Sequence, residues 1–404
     1  MAGIYPAIII SHFQPLELFK PATSKSNHKY LRKTLVMSQF VTAFILIIAT
    51  LFLFDQLKFL HSQDLGFAKD EILNIRFDGN KYVQKQFESI KLELAEVEGV
   101  SSVSSSNAIP GESTTNLYTE IETEPAKMSY ININTNFVDH EFLDAYRIPV
   151  IAGRNFSREF PSDQWTAFIV NESALAALKL SADEAVGRKI NQQEKKGTII
   201  GVMKDFHYRS LHHKVEPLLY TINPYVYTTF SLRINLSDIP TILKKVENKW
   251  RIVSNNLPFQ YSFLNEDLEK YYKSDIQLAN ISALFTGLAI IVASLGLIGL
   301  SSFSVEDKLK EISIRKILGA SEVSIALIVS KDFLMILFTS FVISIPIGIY
   351  LVKDWLENFA IRIAITPSNF LIAGVGIFLT AALTLGFFTF RAMSVDPTRN
   401  LKNL

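Results

Sequence analysis

Hydrophobic residues are concentrated in four long stretches of the chain. Each stretch is free of Asp, Glu, Lys and Arg: residues 35–54, 276–305, 333–352 and 370–390. Crossing the hydrocarbon core of a bilayer takes about 20 mostly apolar residues, because every backbone polar group there must be bonded within the protein. The pattern therefore predicts a membrane protein with four transmembrane α-helices.

The segment between the first and second stretches, residues 55–275, has the patterning of a folded domain. Its ends each read as strand, helix and strand, with strands predicted at 71–77, 100–106, 228–235 and 259–264 and helices at 82–97 and 239–253. Its middle predicts strands near 128–137, 166–170, 198–203 and 217–223 and short helices near 140–146 and 172–178. We therefore expect an α/β (mixed α+β) domain in which the two ends form one layered subdomain and the middle forms a second.

Lysine and arginine are unevenly distributed around the apolar stretches. They are frequent in residues 1–34, in residues 306–321 and after residue 390, whereas the loop between the third and fourth stretches contains only Lys353 and Arg362. Because cytoplasmic loops carry the excess of positive charge, we expect both termini and residues 306–321 to be cytoplasmic. The domain at residues 55–275 is then extracytoplasmic, and residues 1–34 form a cytoplasmic linker.

The charged segment between the second and third stretches, residues 304–321, has helical periodicity. Its apolar residues fall near one face of a helix: Val305, Leu309, Ile312, Ile317 and Leu318. Gly319 is a suitable helix stop, and Ser321 is a suitable cap for the next helix. The pattern predicts a short amphipathic helix between two spans. It leaves open whether that helix lies on the membrane surface or docks on a protein.

Residues 311–321 of this segment read E-I-S-I-R-K-I-L-G-A-S. They resemble the E-I-x-I-R-K-x-L-G-A-S signature of the FtsX/MacB-like ABC transporter permeases. The resemblance implies that residues 306–321 form the coupling helix on which a partner ABC ATPase rests. It also implies roles for seven residues at the contact with that ATPase. Polar contacts are implied for Glu311, Arg315 and Lys316, and apolar contacts for Ile312, Ile314 and Leu318. Gly319 would end the helix.

Further segments resemble the same family, so the resemblance covers essentially the whole chain. They are A-G-R-N-F at 152–156, V-N-E-S at 170–173, G-V-M-K-D-F-H at 201–207 and D-P-T-R-N-L at 396–401, where Asp396 replaces the usual asparagine. The resemblance implies a MacB-like periplasmic domain at residues 55–275 and an FtsX-like permease domain with three spans at residues 276–404.

The N-terminal residues resemble a linker of the same family. The segments G-I-Y-P-A at 3–7 and S-H-F-Q-P at 11–15 are similar to the sequence that joins the two membrane halves in double-length members. The chain therefore looks like a second half standing alone, as a separate gene product or as a truncated reading.

Composition narrows the classes of activity. A formal net charge of +1 argues against a nucleic-acid binder, and the absence of cysteine excludes disulfides and thiolate metal sites. The sequence contains neither a G-x-x-x-x-G-K-[ST] phosphate loop nor a G-x-S-x-G elbow. We therefore expect no catalytic residues, no cofactor and no nucleotide-binding domain in this chain, with ATP hydrolysis on a partner polypeptide.

Three histidines lie close together at His207, His212 and His213, with Asp205 and Glu216 nearby. A zinc site needs three or four converging ligands, and this segment has no helical ligand spacing. We expect structural histidines in a strand-to-loop turn and no metal site.

Small residues recur along the second apolar stretch. Ala279, Ala283 and Gly287 are four residues apart, and Gly296 and Gly299 follow. Small residues let helix backbones approach closely in lipid, so we expect close helix packing there. The leading use is a dimer interface through the first two spans, with a second copy or another four-span permease half as the partner.

These expectations combine into the permease subunit of an ABC transporter of the mechanotransmission type in a bacterial cytoplasmic (inner) membrane. ATP hydrolysis on the partner would drive a change in the extracytoplasmic domain, for export or extraction of a peptide, lipoprotein or drug. The alternative is an FtsX-like signalling or scaffold subunit that regulates an extracytoplasmic partner without transport. Membrane lipid and an extracytoplasmic adaptor are further expected partners, and the sequence leaves the cargo open.

Overall fold

The computed structural model describes residues 25–318 and 321–393, which belong to two compact units. The membrane unit comprises the residues up to 55, residues 278–355 and the residues from 364 onward. The inserted-domain unit comprises residues 56–277 and 356–363. The short loop at 356–363 is therefore part of the same unit as the large domain, although it is far from that domain in sequence.

Helices and strands alternate irregularly between the long apolar helices. The described helices are α1 Lys25–Ser62, α2 Lys81–Lys85, α3 Phe87–Ala95, α4 Phe142–Ala145, α5 Asp163–Thr166, α6 Glu172–Leu178, α7 Ala182–Ala185, α8 Ile239–Val253, α9 Leu264–Tyr271, α10 Lys273–Ile317, α11 Glu322–Leu356 and α12 Pro367–Met393. The described strands are β1 Ile72–Arg76, β2 Val100–Ser106, β3 Thr115–Glu124, β4 Lys127–Phe137, β5 Val150–Gly153, β6 Ala167–Asn171, β7 Lys189–Gln192, β8 Lys195–Met203, β9 Leu218–Thr221, β10 Thr229–Ile234 and β11 Gln260–Phe263.

Four helices are long and apolar enough to cross a membrane. The candidate spans are Tyr30–Ser62 in α1, Lys273–Ser304 in α10, Ser330–Leu356 in α11 and Pro367–Phe387 in α12. The prediction of four apolar helices with a mixed α/β domain between the first and second is confirmed. The first helix extends beyond the predicted 35–54, because residues 55–62 contain no proline or glycine to end it.

The segment at 306–321 differs from the prediction of a separate short helix. Residues 306–317 continue the second span, so that α10 is a single helix of 45 residues. Residues 300–318 contain neither proline nor glycine, and nothing in them interrupts the backbone hydrogen bonds of a helix. The predicted stop at Gly319 lies outside the described residues. The predicted cap at Ser321 is confirmed, since the Ser324 N–H donates to Ser321 Oγ at 3.4 Å and α11 starts at Glu322.

All four long helices contribute to one apolar core in the membrane unit. Its buried members include Phe40 and Phe44 from α1, Leu297 from α10, Leu337 from α11 and Ile377 from α12. The hydroxyls of Thr50 in α1 and Thr286 in α10 also lie 2.8 Å apart. Side-chain hydrogen bonds between apolar helices add to packing in lipid, where water exclusion contributes little.

A four-stranded antiparallel sheet forms the first subdomain of the inserted domain, in the strand order β11, β1, β10, β2. Helices α3 and α8 cover it through a core that includes Ile90, Val246 and the almost fully buried Trp250. The two predicted strand, helix and strand units are confirmed here. One predicted helix, at 82–97, is divided into α2 and α3.

A seven-stranded mixed sheet forms the second subdomain, in the order β5, β8, β6, β9, β4, β3, β7. Because β7 also pairs with β8, six of its strands form a closed circuit of backbone hydrogen bonds. The four strands predicted for the middle of the domain are confirmed as β4, β6, β8 and β9. The predictions missed β3, in which only Leu117, Tyr118 and Ile121 are apolar among 10 residues, and the four-residue strands β5 and β7.

The two subdomains share one apolar cluster, so they form a single domain. The cluster combines Ile72 and Leu264 from the first subdomain with Phe142, Tyr146 and Tyr220 from the second. Tyr146 is fully buried, and its Oη donates to Ser231 Oγ at 2.8 Å. This polar contact ties α4 to the neighbouring β10.

A buried ion pair also crosses between the subdomains. Lys91 of α3, which is 6% exposed, is paired with both Asp139 and Glu141, which follow β4. Asp139 Oδ2 accepts the Ser105 N–H at 2.7 Å, and Arg158 Nε donates to Glu141 Oε1 at 2.6 Å. The partners of Lys91 and of its carboxylates come from the segment after β4, from β2 and from the loop before α5, so the network fixes the position of α3 on the domain.

We expect Lys91→Ala to destabilise the inserted domain by about 3–5 kcal/mol, because it leaves the buried carboxylate of Asp139 without its cation. The measurement is urea unfolding of the full chain in detergent, followed by tryptophan fluorescence. Lys85→Ala, at an exposed position of α2, is the matched control and should shift the midpoint little. Equal midpoints for the two variants would contradict the assigned role of Lys91.

We also expect Glu141 to make the domain acid-sensitive. Burial alone would raise the pKa of Glu141, but the bonds from Arg158 and Lys91 outweigh it and lower this pKa from 4.5 to about 2. A carboxylate with a lowered folded-state pKa stabilises the fold above its unfolded-state pKa and loses that contribution as the pH falls toward its folded-state pKa. Unfolding measured between pH 5 and pH 2 should therefore show that the native chain loses stability relative to Glu141→Gln as the pH falls. Burial raises the pKa of the neighbouring Asp139 to about 6 in both chains, so the difference isolates Glu141, and identical pH profiles would refute the assignment.

Candidate coupling site

The end of α10 projects beyond its candidate span. The span ends at Ser304 and the helix at Ile317, which leaves 13 residues, or about 20 Å of helix at 1.5 Å per residue. On this extension Arg315 Nη2 donates to Glu311 Oε1 at 2.8 Å. Two apolar side chains nearby are strongly exposed, Ile314 at 56% and Leu318 at 79%.

Exposed apolar side chains beside an exposed ion pair form the kind of surface that docks on a partner. Four of the seven predicted coupling residues, Glu311, Ile314, Arg315 and Leu318, are placed on it. The side chains of Ile312 and Lys316 are not among those described, and Gly319 lies outside the described residues. The coupling role of all seven stays a prediction.

An ionic cluster holds α10 near the start of this extension. The carboxylate of Asp332, at the start of the third span, lies 3.5 Å from the ammonium groups of both Lys33 and Lys308. The guanidinium of Arg32 in α1 lies 4.1 Å from the ring centroid of Phe303 in α10. The sequence did not reveal this cluster, because its members come from three helices that are distant along the chain.

The small residues of α10 have different surroundings. Gly296 lies against α1, since a Cβ at this position would be 2.1 Å from Gln39 Oε1 and 3.5 Å from Val36 Cγ2. A Cβ at Gly287 would meet nothing within 4 Å among the described residues, and Gly287 is exposed. Ala279 is buried and Ala283 is half-buried. Of the two predicted packing glycines, Gly296 has a close contact with another helix among the described residues and Gly287 has none.

The motifs of the inserted domain interlock with one another. Ser173 Oγ and the Ser173 N–H, at the start of α6, donate to the two carboxylate oxygens of Asp205 at 2.5 and 3.0 Å. Asn171 Oδ1 accepts the N–H groups of Ala174 at 3.1 Å and Leu218 at 2.8 Å. The V-N-E-S and D-F-H segments therefore cap α6 and join it to neighbouring segments. Their hydrogen bonds thus have a structural role.

The G-R-N-F segment also has a structural role. Arg154 Nη1 and Nη2 donate to the two oxygens of Asp163 at 2.6 and 2.7 Å, a fork that fixes the loop before α5. Phe156 is buried in the cluster shared by the two subdomains.

The histidines do not assemble a metal centre. Within residues 25–318 and 321–393, no group of three or more His, Cys, Asp or Glu side chains is arranged to hold a metal ion. The His207 N–H donates to Leu65 O at 2.8 Å, and burial lowers the pKa of the His207 ring. His213 is exposed, whereas His212 is packed among aromatic rings.

A groove of about 760 Å³ lies beside the hairpin of β7 and β8. At its floor Lys195 Nζ donates to Gln164 O at 2.8 Å, Thr221 Oγ1 at 2.6 Å and Ile222 O at 3.0 Å, and burial lowers the pKa of Lys195 to about 8. Exposed aromatic side chains, Trp165 and Tyr225, line it. Nothing in the sequence distinguished Lys195 from the other lysines, because only folding brings it to these acceptors.

The fold and the extension of α10 define a multi-pass membrane protein with a large α/β domain inserted between its first two spans. Two family models match the sequence: the MacB-like periplasmic core domain over residues 40–248 and the FtsX-like permease C-terminal domain over residues 283–397. The chain belongs to the FtsX/MacB-like family of ABC transporter permeases, which work with an ABC ATPase partner.

Solved structures similar to this chain include periplasmic and extracellular domains. The periplasmic region of MacB from Actinobacillus actinomycetemcomitans is 13% identical, with a TM-score of 0.37 and coverage of 50% of this chain and 93% of that one. The extracellular domain of the noncanonic ABC-type transporter YknZ from Gram-positive bacteria is 16% identical, with a TM-score of 0.34 and coverage of 47% and 97%. Among curated proteins, none matches the sequence.

We expect Gly296→Val to destabilise the membrane unit by about 1–3 kcal/mol, because its side chain overpacks the contact with Gln39 and Val36. Gly299→Val is the matched control, since a Cβ at Gly299 would meet nothing within 4 Å of the described residues and the helix-propensity cost is the same. The measurement is the thermal unfolding midpoint of the purified chain in detergent. A lower midpoint for Gly299→Val than for Gly296→Val would contradict the packing described here.

Proposed function

We propose that this chain is the permease subunit of an ABC transporter of the mechanotransmission type. A partner ATPase dimer closes on ATP and displaces the coupling segment at residues 311–321. Helix α10 carries that displacement to the inserted domain, whose change of conformation exports or extracts a peptide, lipoprotein or drug.

The continuity of α10 carries this proposal. The helix starts at Lys273 in the inserted-domain unit and ends at Ile317 in the coupling segment. It contains no proline, and its ladder of backbone hydrogen bonds resists stretching and sharp bending. A displacement applied at Ile317 is therefore transmitted along the helix axis.

The exposed residues of the extension support a docking role. Ile314 and Leu318 offer apolar contact area at the helix end, and the pair of Glu311 and Arg315 offers charge on the neighbouring surface. In the proposed complex the apolar side chains, with Ile312, fill a groove of the ATPase. Glu311, Arg315 and Lys316 make the polar contacts around it.

The distribution of charge supports the orientation that we propose. Both termini and the coupling segment lie in the cytoplasm of a bacterial cell, the spans cross the inner membrane, and the inserted domain lies outside. An adaptor outside the membrane and membrane lipid complete the proposed partners.

A second permease half is the further proposed partner in the membrane. Leu284, Leu288, Ile291 and Leu295 are exposed at helical spacing along α10, and Gly287 lies among them. This stripe suits close contact with a helix of a second copy or of another four-span half.

We expect Arg315→Glu to reduce the stimulation of the partner ATPase to the basal rate, because it reverses a charge at the contact and places two carboxylates four residues apart. The measurement is ATP turnover of the ABC ATPase that co-purifies with the chain, with and without the permease in nanodiscs. Lys353→Glu makes the same change at an exposed position at the far end of α11 and should leave stimulation intact. Full stimulation with Arg315→Glu would overturn the proposed function.

A signalling or scaffold subunit that binds a partner without moving cargo is the second candidate. The groove with exposed Trp165 and Tyr225 favours it, because exposed aromatic side chains are enriched at protein contacts. Cargo that is still exported from a deletion strain would favour this candidate over transport.

A further inference from the structure

Three segments of the inserted-domain unit meet at the side chain of His212: the loop at 204–217, the junction of α9 and α10, and the loop at 356–363. The end of α1 joins them through Gln56 and His61. We call this meeting point the His212 joint. The His212 joint brings the start of α10 and a loop that is distant in sequence into contact with one side chain.

The ring of His212 is held on every side. It stacks on Phe359 at a centroid distance of 4.3 Å and an angle of 28°, and on Tyr272 at 6.1 Å and 22°. His212 Nδ1 lies 2.7 Å from Ser210 Oγ, and Nε2 lies 3.4 Å from Asp275 Oδ2. The ring therefore contacts its own loop, the first turn of α10 and the loop at 356–363.

Hydrogen bonds between side chains and the backbone hold the same segments together. Gln56 of α1 is fully buried, and its Nε2 donates to Ile361 O at 2.9 Å while its Oε1 accepts the Ile363 N–H at 3.0 Å. The Leu211 N–H donates to Tyr272 Oη at 3.0 Å. Both ends of the Gln56 amide are thus used to hold the loop at 356–363.

Asp275 connects this joint to α10. It lies in the first turn of the helix, and its Oδ2 is buried without a hydrogen bond among the described residues. That oxygen faces His212 Nε2. A buried carboxylate oxygen without a donor is costly, so the position of α10 that brings Asp275 closest to His212 is favoured.

We infer that His212 is a positioning residue for transmission, which holds the first turn of α10 and the loop at 356–363 together as one part of the inserted domain. The inference rests on the proposed function. Displacement that arrives along α10 reaches Asp275 first. Through His212 and Phe359 it then moves the loop between the third and fourth long helices together with the domain.

Hydrogen–deuterium exchange on the purified full chain tests the joint without any ATPase. His212→Ala should raise exchange about tenfold in residues 273–277 and 356–363 together, since opening of both segments then costs less. His213→Ala, at the exposed neighbouring position, should change neither. Unchanged exchange in His212→Ala would refute the joint.

A fluorescent probe tests transmission. The chain has no cysteine, so Tyr225→Cys at a position 76% exposed accepts a single environment-sensitive dye. With the co-purified ATPase present, the ATP-dependent dye signal should be lost in His212→Ala, while ATPase stimulation persists because the coupling segment is untouched. A full dye signal in His212→Ala would overturn the inference.

Removing the acidic partner separates positioning from simple stabilisation. Asp275→Ala leaves the ring of His212 stacked on Phe359 but removes its contact with α10, so the dye signal should be lost at an unchanged thermal midpoint. A full dye signal in Asp275→Ala would count against the pair. If the native chain gives neither ATPase stimulation nor a dye signal, the proposed function fails, and the exchange experiment still decides the joint.

Discussion

An unbroken backbone hydrogen-bond ladder along α10 is the constraint on which the rest of this protein depends. Over the 45 residues from Lys273 to Ile317, no proline removes a donor. The part of α10 within the candidate span consists mostly of apolar residues, and the extension beyond Ser304 contains many charged residues. One continuous helix therefore contains both the first turn at Asp275 and the exposed residues Ile314 and Arg315.

The remaining long helices support that element at defined points. Gly296 lets α1 approach closely through Gln39 and Val36, and Thr50 adds a hydroxyl contact with Thr286. Asp332 is paired with lysines from α1 and α10 near the start of the α10 extension. These contacts lie along the candidate span of α10 and near the start of its extension, whereas Arg315 farther along is exposed.

Most of the polar residues named in the inserted domain have structural contacts within that domain. Ser173, Asp205 and Arg154 are used in caps and forks that fix loops, and Lys91 holds α3 on the domain. His212 differs from these residues, because its contacts lead to α10 and to the loop at 356–363. Sequence proximity to His207 and His213 therefore says little about its role, which its aromatic and acidic neighbours determine.

The sequence by itself determined the four apolar helices, the strand and helix order at the ends of the inserted domain, and the family, because periodicity and contiguous motifs are local properties. Only the tertiary structure decided which elements pair. The closure of the seven-stranded sheet through β7, the buried pair of Lys91 and Asp139, and the stacking of His212 on Phe359 all join residues far apart in the chain. Residues 306–317 are a different case: amphipathic spacing predicted a separate helix there, whereas the lack of proline and glycine in residues 300–318, also readable from the sequence, accounts for the continuous helix. Local patterns encode the preference of a segment, whereas long-range pairing follows from how complementary surfaces fit once the chain has folded.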